Sequence, residues 1–334
     1  MYYVGLDVHA RQSSFCVLDD NGKELNQFQV RGEWPKMLEA AERLPRPFSL
    51  CYEASCGYGY LHERLSPLAE HVAVAHPSQL RLIFRSKKKN DRVDARKLAK
   101  LLYLDEVPQV HVPGREVRQS RGMSEFRVKL AGKRGGVKCQ IRALLRSLGM
   151  VPPAGLWTKK GLAWLKAMEL TGLDAVRRDV MLDELGTLSG QIRRVEKELN
   201  QRAKNHPGVT LLMTIPGVGM RTAEAFVAYV DDPRRFARAN RIGSYFGLVP
   251  CQDASAAANR LGHITKDGPA TVRKLLCEAS WQGIGRSPTL GAYFERRVGN
   301  DPDRRKIALV ATAHHLATVM GTMLTTGESW REDD

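Results

Sequence analysis

Asp91 and Asp94 stand three residues apart, just after the basic run Ser86-Lys-Lys-Lys-Asn and among apolar residues at helical spacing, Val93, Leu98, Leu101 and Leu102. The spacing predicts a helix whose first turn shows both carboxylates on one face. Helix dipoles favour carboxylates at that end, so capping alone accounts for two acids. It does not account for their surroundings. Nine Lys/Arg and only these two acids fall between Arg81 and Lys100. Two acids in a basic surface read as a metal site that must meet phosphate, with Lys87, Lys88, Lys89, Arg92 and Arg96 as candidate nucleic-acid contacts.

Two further acids could complete such a site. Asp7 lies in the apolar stretch Tyr2–Val8, and Glu53 follows Phe48–Tyr52 and precedes the turn Ser55-Cys-Gly-Tyr-Gly59. Each falls at the carboxyl end of an expected strand, where ligands of open α/β sheets gather. A strand-end acid can also serve as a plain turn cap. Four carboxylates on neighbouring elements can hold two hard cations through oxygen ligands. Two ions about 3.5–4 Å apart would activate a nucleophile and stabilise the leaving oxygen of a phosphodiester.

The elements that must position these acids follow from periodicity and turn chemistry. Strands are expected at residues 2–8, 13–19, 25–30, 48–52 and 72–75, with helices at 33–44, 60–68 and from Asp91 onward. Asp20-Asn21-Gly22, just after the second of these strands, is a turn signal that makes a hairpin. The order β-β-β-α-β-α-β-α predicts a mixed sheet with helices on its faces. A Pro-bounded linker, Val107–Gly114, leads into Arg115–Leu148, which carries ten Lys/Arg against two acids. This reads as a long basic helix that could follow a phosphate backbone or simply be solvated, with an interruption at Gly135-Gly136. Helical sequence from Lys159 to Lys204, broken near Thr171-Gly172, ends in apolar positions 185, 188, 192, 195 and 199. That seam is a short heptad pattern, for an intramolecular hairpin or a dimer contact. Farther on, Ile215-Pro-Gly-Val-Gly219 joins two helical stretches and resembles a helix-hairpin-helix turn. Gly217 and Gly219 would let backbone N–H groups approach a phosphate, unless the turn is punctuation between packed helices. The expected domains are 1–106, 107–204 and 205–327, followed by an acidic tail, 328–334, without fixed structure.

The totals agree with a polyanionic partner. The chain has 334 residues and a formal net charge of +16, which points to DNA or RNA. No apolar run of about 18 residues marks a membrane span, and Met1–Asp7 lacks the regions of a signal peptide. Six cysteines without a Cys-x-x-Cys pair suit reduced, buried thiols and a cytoplasmic setting.

Gly5-Leu-Asp7-Val-His, Tyr52-Glu53-Ala-Ser-Cys-Gly-Tyr-Gly59 and Lys89-Asn-Asp91-Arg-Val-Asp94-Ala-Arg-Lys-Leu-Ala resemble the Asp-Glu-Asp-Asp motifs of a transposase family. That family is the bridge-RNA-guided DEDD recombinases, the insertion-sequence family numbered one hundred and ten. The resemblance implies an α/β, ribonuclease-H-like (RuvC-like) N-terminal domain, a helical coiled-coil segment and a mainly α C-terminal domain. It makes Asp7, Glu53, Asp91 and Asp94 ligands of Mg²⁺, two ions per site. It extends to Gly247-Leu-Val-Pro-Cys-Gln-Asp-Ala-Ser255 and Gly262-His-Ile-Thr-Lys-Asp-Gly268, which makes Ser255 the nucleophile and adds Arg260 and Lys266 as nucleic-acid contacts. One departure stands out: Ala256-Ala257-Ala258 follow the serine where relatives carry glycine.

The expected activity is RNA-guided recombination of a mobile element, through a serine–phosphate intermediate at a composite site in a dimer or tetramer. The implied partners are donor and target DNA, a structured bridge RNA and further copies of the chain, with no membrane. The setting is the bacterial cytoplasm, at the nucleoid. A metal-dependent junction nuclease that uses water, without a covalent step, is the alternative.

Overall fold

A computed structural model describes residues 1–83, 91–255 and 258–332, with side chains omitted at 253–255 and 258–260. The chain forms two compact units, Met1–Arg115 and Glu116–Asp334.

The first unit runs β1 (Tyr2–Val8), β2 (Gln12–Leu18), β3 (Glu24–Arg31), α1 (Trp34–Glu42), β4 (Phe48–Glu53), α2 (Tyr58–Leu65), β5 (His71–Ala75), α3 (Pro77–Ile83) and α4 (Asp91–Tyr103). Its sheet has the order β3-β2-β1-β4-β5. The first three strands are successively antiparallel, with Asp20-Asn21-Gly22 turning the chain between β2 and β3, and β1, β4 and β5 run parallel. Alternation along the strands divides the side chains between two faces. Val4, Leu6, Phe15, Val17, Leu50 and Tyr52 pack against Met37, Leu38 and Ala41 of α1 and Leu61 and Leu65 of α2. The opposite face is made of small residues, Cys16, Cys51, Ala73 and Ala75, and α4 lies on it through Ala95, Leu98, Ala99 and Leu102.

The tightest approach is at Gly5. A Cβ there would stand 1.9 Å from the Ala95 carbonyl oxygen and 2.4 Å from the Ala99 nitrogen. Both are backbone atoms and cannot swing aside. Gly5→Ala should therefore destabilise the first unit by about 3 kcal/mol, the upper range for overpacking. A urea midpoint within error of wild type would show that α4 is not seated as described.

The second unit opens with α5 (Arg115–Ser147), α6 (Lys159–Ala167) and α7 (Gly172–Lys204). The expected break at Gly135-Gly136 is absent, and α5 runs through both. Each glycine costs about 1 kcal/mol of helix propensity, but Leu130, Val137, Ile141, Leu144 and Leu145 anchor the helix on either side. They pack with Met181, Leu185, Leu188, Ile192, Val195 and Leu199 of α7. The heptad seam is thus occupied by α5 of the same chain. Arg127 reinforces the pairing with an ion pair to Glu196, Nη2 to Oε1 at 2.6 Å.

Then come α8 (Pro207–Leu212), α9 (Met220–Val230), α10 (Asn240–Tyr245), β6 (Pro250–Ser255), β7 (Ala258–Ile264), α11 (Ala270–Ile284), α12 (Pro288–Val298) and α13 (Arg305–Thr326). Residues 302–326 are long and apolar enough to cross a membrane by length and composition. Here Ala313, Leu316, Ala317, Met320 and Met323 of α13 are buried in the core with α8–α11. The tail is docked through residue 332, contrary to the expectation of no fixed structure. Glu332 accepts hydrogen bonds from Ser287 Oγ and the Thr289 and Trp330 N–H groups, and the Trp330 backbone N–H donates to Thr214 Oγ1. A second correction concerns the thiols: Cys16 and Cys51 are buried, but Cys56, Cys139 and Cys251 are exposed. Apolar neighbours in sequence do not decide which face of a helix or strand a residue occupies.

Candidate metal centre and nucleic-acid interface

The contact at Gly5 determines which side chains meet at the carboxyl end of β1. Along α4, one turn back from Ala95 is Asp91, a step of about 6 Å. Along β1, two residues on from Gly5 on the same face is Asp7, a step of about 6.7 Å. The helix and strand run in opposite directions here, so the two steps bring Asp91 over Asp7.

Among the described residues, Asp7, His9 and Asp91 offer ligand atoms that all lie within 4.8 Å of one another. His9 Nε2 is 3.2 Å from Asp7 Oδ2 and 3.7 Å from Asp91 Oδ1. Gln12 Nε2 donates to Asp91 Oδ2 at 3.2 Å. Asp94 sits one helical step along, paired with Lys97 Nζ at 3.1 Å. It is near enough to raise the Asp7 pKa, but its oxygens are not in the close group. Glu53 ends β4, one residue beyond the last ladder pair with β1, Leu6 with Tyr52. Its side chain is exposed and is also outside the close group. The structure therefore gathers two of the four predicted acids tightly, holds a third beside them and leaves the fourth at the end of the adjacent strand.

Three side chains beyond the expected acids, His9, Gln12 and Lys97, also contact them. For His9 the signal was present: Asp7-Val-His9 has the period of two that puts alternate strand residues on one face.

The Asp7 carboxyl is pushed up to about 6. Burial is the main cause, opposed by His9 and reinforced by the Asp91 and Asp94 charges. The group is neutral in the fold at pH values where the unfolded chain has already released its proton. Stability tied to this group is full below about pH 4 and is lost as pH rises through about 6. The loss amounts to roughly 3 kcal/mol. Asp7→Asn should accordingly raise the metal-free denaturation midpoint at pH 7.5 and leave it nearly unchanged at pH 4; equal effects at both pH values would sink this account. Crowded carboxylates of this kind suit a hard divalent cation, which would neutralise them and reverse the penalty. The imidazole of His9 is a compatible neighbour or ligand.

The predicted nucleic-acid contacts divide. Lys87, Lys88 and Lys89 lie outside the described residues. Arg92 is exposed. Arg96 is engaged with Glu24, Nε to Oε2 at 2.6 Å. Gly217, at φ 92°, is required by packing: a Cβ would stand 2.4 Å from the Gly283 nitrogen on α11, whereas Gly219 faces open space. Ser255 is the last residue of β6 and pairs with Ala258 on β7, so it stands at the tip of a two-stranded hairpin. Its hydroxyl and the Arg260 side chain lie outside the described side chains. At the hairpin base, Cys251, Gln252, Leu261, Gly262 and His263 are exposed. Lys266 is exposed, at φ 58°, in a turn that Arg273 Nη1 fastens by donating to the Phe246 and Asp267 carbonyls at 2.9 and 2.8 Å.

A mixed sheet with acids at its carboxyl edge, under the first turn of a helix, is consistent with a ribonuclease-H-like DEDD domain, and the second unit is mainly helical. Residues 4–150 match the DEDD transposase model of the IS110 family, and residues 209–295 match the model of the IS116/IS110/IS902 transposase family. The chain is 24% identical to a probable family 20 transposase of Pseudomonas aeruginosa, across 92% of this chain and 91% of that one. It is 26% identical to the transposase for insertion sequence element IS1111A of Coxiella burnetii, across 98% and 91%. A third relative, the transposase for insertion sequence element IS1328 of Yersinia enterocolitica, is 27% identical across 84% and 85%. The protein is thus a DNA transposase or recombinase enzyme. Two matched segments of one family, covering most of the chain, make it an IS110-family transposase.

Proposed function

We propose that this transposase cuts and rejoins DNA strands through a serine–phosphate ester, at a site where Asp7, Glu53, Asp91 and Asp94 hold Mg²⁺, two ions per site. The convergence of Asp7, Asp91 and His9 at the carboxyl end of β1 carries this reading. Family membership implies a divalent metal, and the crowded carboxylates are a donor set that takes one. Once bound, the metal supplies charge neutralisation at the phosphodiester. In this reading Asp94 exchanges Lys97 for the metal, and Glu53 turns in from solvent.

The Ser255 hydroxyl attacks phosphorus, forming an Oγ–P bond as the P–O bond to one sugar breaks. The serine proton passes to solvent or a neighbouring base, and the departing sugar oxygen takes up a proton. Attack of another strand's hydroxyl reverses the step and releases the serine. A phosphodiester bond is conserved throughout, which is the chemical reason for a recombinase to use a serine as well as a metal. Ser255 and the acids act on one phosphodiester within a dimer or tetramer, and the protein works in the bacterial cytoplasm, at the nucleoid.

A structured non-coding RNA, pairing with donor and target, would choose the sequences. Its partner surface is the strongly basic chain, at a net charge of +16. The test is purification of the full chain with its nucleic acid and sequencing of the bound RNA. The expected result is one abundant transcript complementary to the flanks of the element. Random fragments would remove RNA guidance and leave transposition with protein-read sites.

A further inference from the structure

On the same edge of the sheet as the carboxylates, an open cleft of about 500 Å³ is lined by Ala10, Arg11, Glu33, Trp34, Pro35 and Tyr60. Its size is within the ~300–1,000 Å³ of small-ligand sites. Trp34 and Tyr60 stack, with centroids 5.9 Å apart and planes 21° from parallel. Tyr60 is 46% exposed, so the stacked pair is open to solvent on this edge. Trp34 is seated by Gly57: a Cβ there would stand 2.3 Å from Trp34 Cη2, and the glycine is left-handed at φ 79°. The ring is therefore held in place by packing before any ligand arrives.

The cleft and the carboxylate cluster share one turn. His9 and Gln12 close it by a backbone hydrogen bond of 2.9 Å, and their side chains go to Asp7 and Asp91. Between them, Ala10 and Arg11 line the cleft. The Arg11 carbonyl accepts from the Gly32 N–H at 2.9 Å, tying the turn to the end of β3 just ahead of Trp34. Arg11 itself is exposed and makes no ion pair among the described residues.

We infer that this cleft is a stacking site for an unpaired base of the DNA strand being cut, which rests on the reading of the acids as the cutting site. Every base has a π-face, so an aromatic platform accepts an unstacked base without regard to its identity. Arg11 supplies the positive charge for the neighbouring phosphate. A base held here keeps the adjoining backbone beside Asp7 and Asp91, because residues 9–12 belong to both sites. The platform would favour strands that are already unpaired near the scissile bond.

The test uses the full-length Asp91→Asn chain in EDTA, so that no cutting takes place, and short oligonucleotides carrying one 2-aminopurine. Single-stranded DNA should be bound with quenching of 2-aminopurine fluorescence, and the duplex form should be quenched far less. Trp34→Leu and the exposed Tyr60→Leu should each lose most of the quenching and weaken single-strand binding about ten-fold. Trp34→Phe should keep both. Arg11→Gln should weaken binding while the bound base stays quenched. Unchanged quenching in Trp34→Leu and Tyr60→Leu would overturn the proposal, and so would equal quenching by RNA of the same sequence, which would assign the platform to a guide. A wild-type chain that quenches but never cuts leaves the platform standing and removes only the cutting assignment.

Discussion

Asp91→Asn should lower strand cleavage by about 10³-fold or more while the chain still folds and binds nucleic acid. The expectation rests on position. Asp91 is the member of the cluster that α4 delivers, and its oxygens face His9 and Gln12 at 3.7 and 3.2 Å. Asparagine keeps the shape and the Gln12 contact but loses the charge that a divalent cation needs. Losing a charged ligand at a phosphoryl-transfer site removes several kcal/mol of electrostatic stabilisation from the transition state. Asp91 is partly exposed, with a side-chain accessibility of 42%, so the substitution leaves the core untouched. Cleavage of a labelled substrate across a Mg²⁺ titration is the measurement. An Asp91→Asn chain that cuts at the wild-type rate would move the metal elsewhere. A chain that fails to fold would recast the acid as structural.

Ser255→Ala should abolish a covalent protein–DNA adduct on a nicked suicide substrate, to below detection. A serine hydroxyl is the only atom of that side chain able to form the ester. Alanine differs by that oxygen alone, and a position at a hairpin tip tolerates the change. An adduct that persists in Ser255→Ala places the nucleophile on another residue. Absence of any adduct in wild type, with cutting intact, supports a nuclease that uses water. The two substitutions separate the parts of the mechanism. Asp91→Asn should stop the adduct from forming as well, whereas Ser255→Ala should leave metal-dependent stabilisation of the fold unchanged.

Glu53 is where geometry and expectation stand furthest apart. On the sequence it is the natural partner of Asp7, because adjacent parallel strands bring their carboxyl ends together. The strands do so, but Glu53, the last residue of β4, is exposed to water. An acid on the surface keeps its hydration, whereas Asp7 is forced to surrender part of it. That difference follows from α4 covering β1 at Gly5 more closely than it covers the end of β4.

The order of strands and helices in the first unit was legible from periodicity and turn residues alone. An alternating strand must bury one face, and Asp20-Asn21-Gly22 between two such strands is a strong hairpin signal. The same local logic put Asp7 at a strand end and Asp91 and Asp94 in one helical turn. Local rules could not say that α4 lies antiparallel on β1, because that follows from a missing side chain at Gly5 meeting Ala95 and Ala99 from ninety residues away. Only this contact makes neighbours of Asp7 and Asp91, recruits His9 and raises the Asp7 pKa. The helix through Gly135-Gly136 and the docked tail were decided in the same way, by distant packing that outweighs weak local preference. Spacing along the chain determines which groups can share a face; the meeting of two faces is a property of the folded whole, since its energy comes from surfaces that sequence keeps apart.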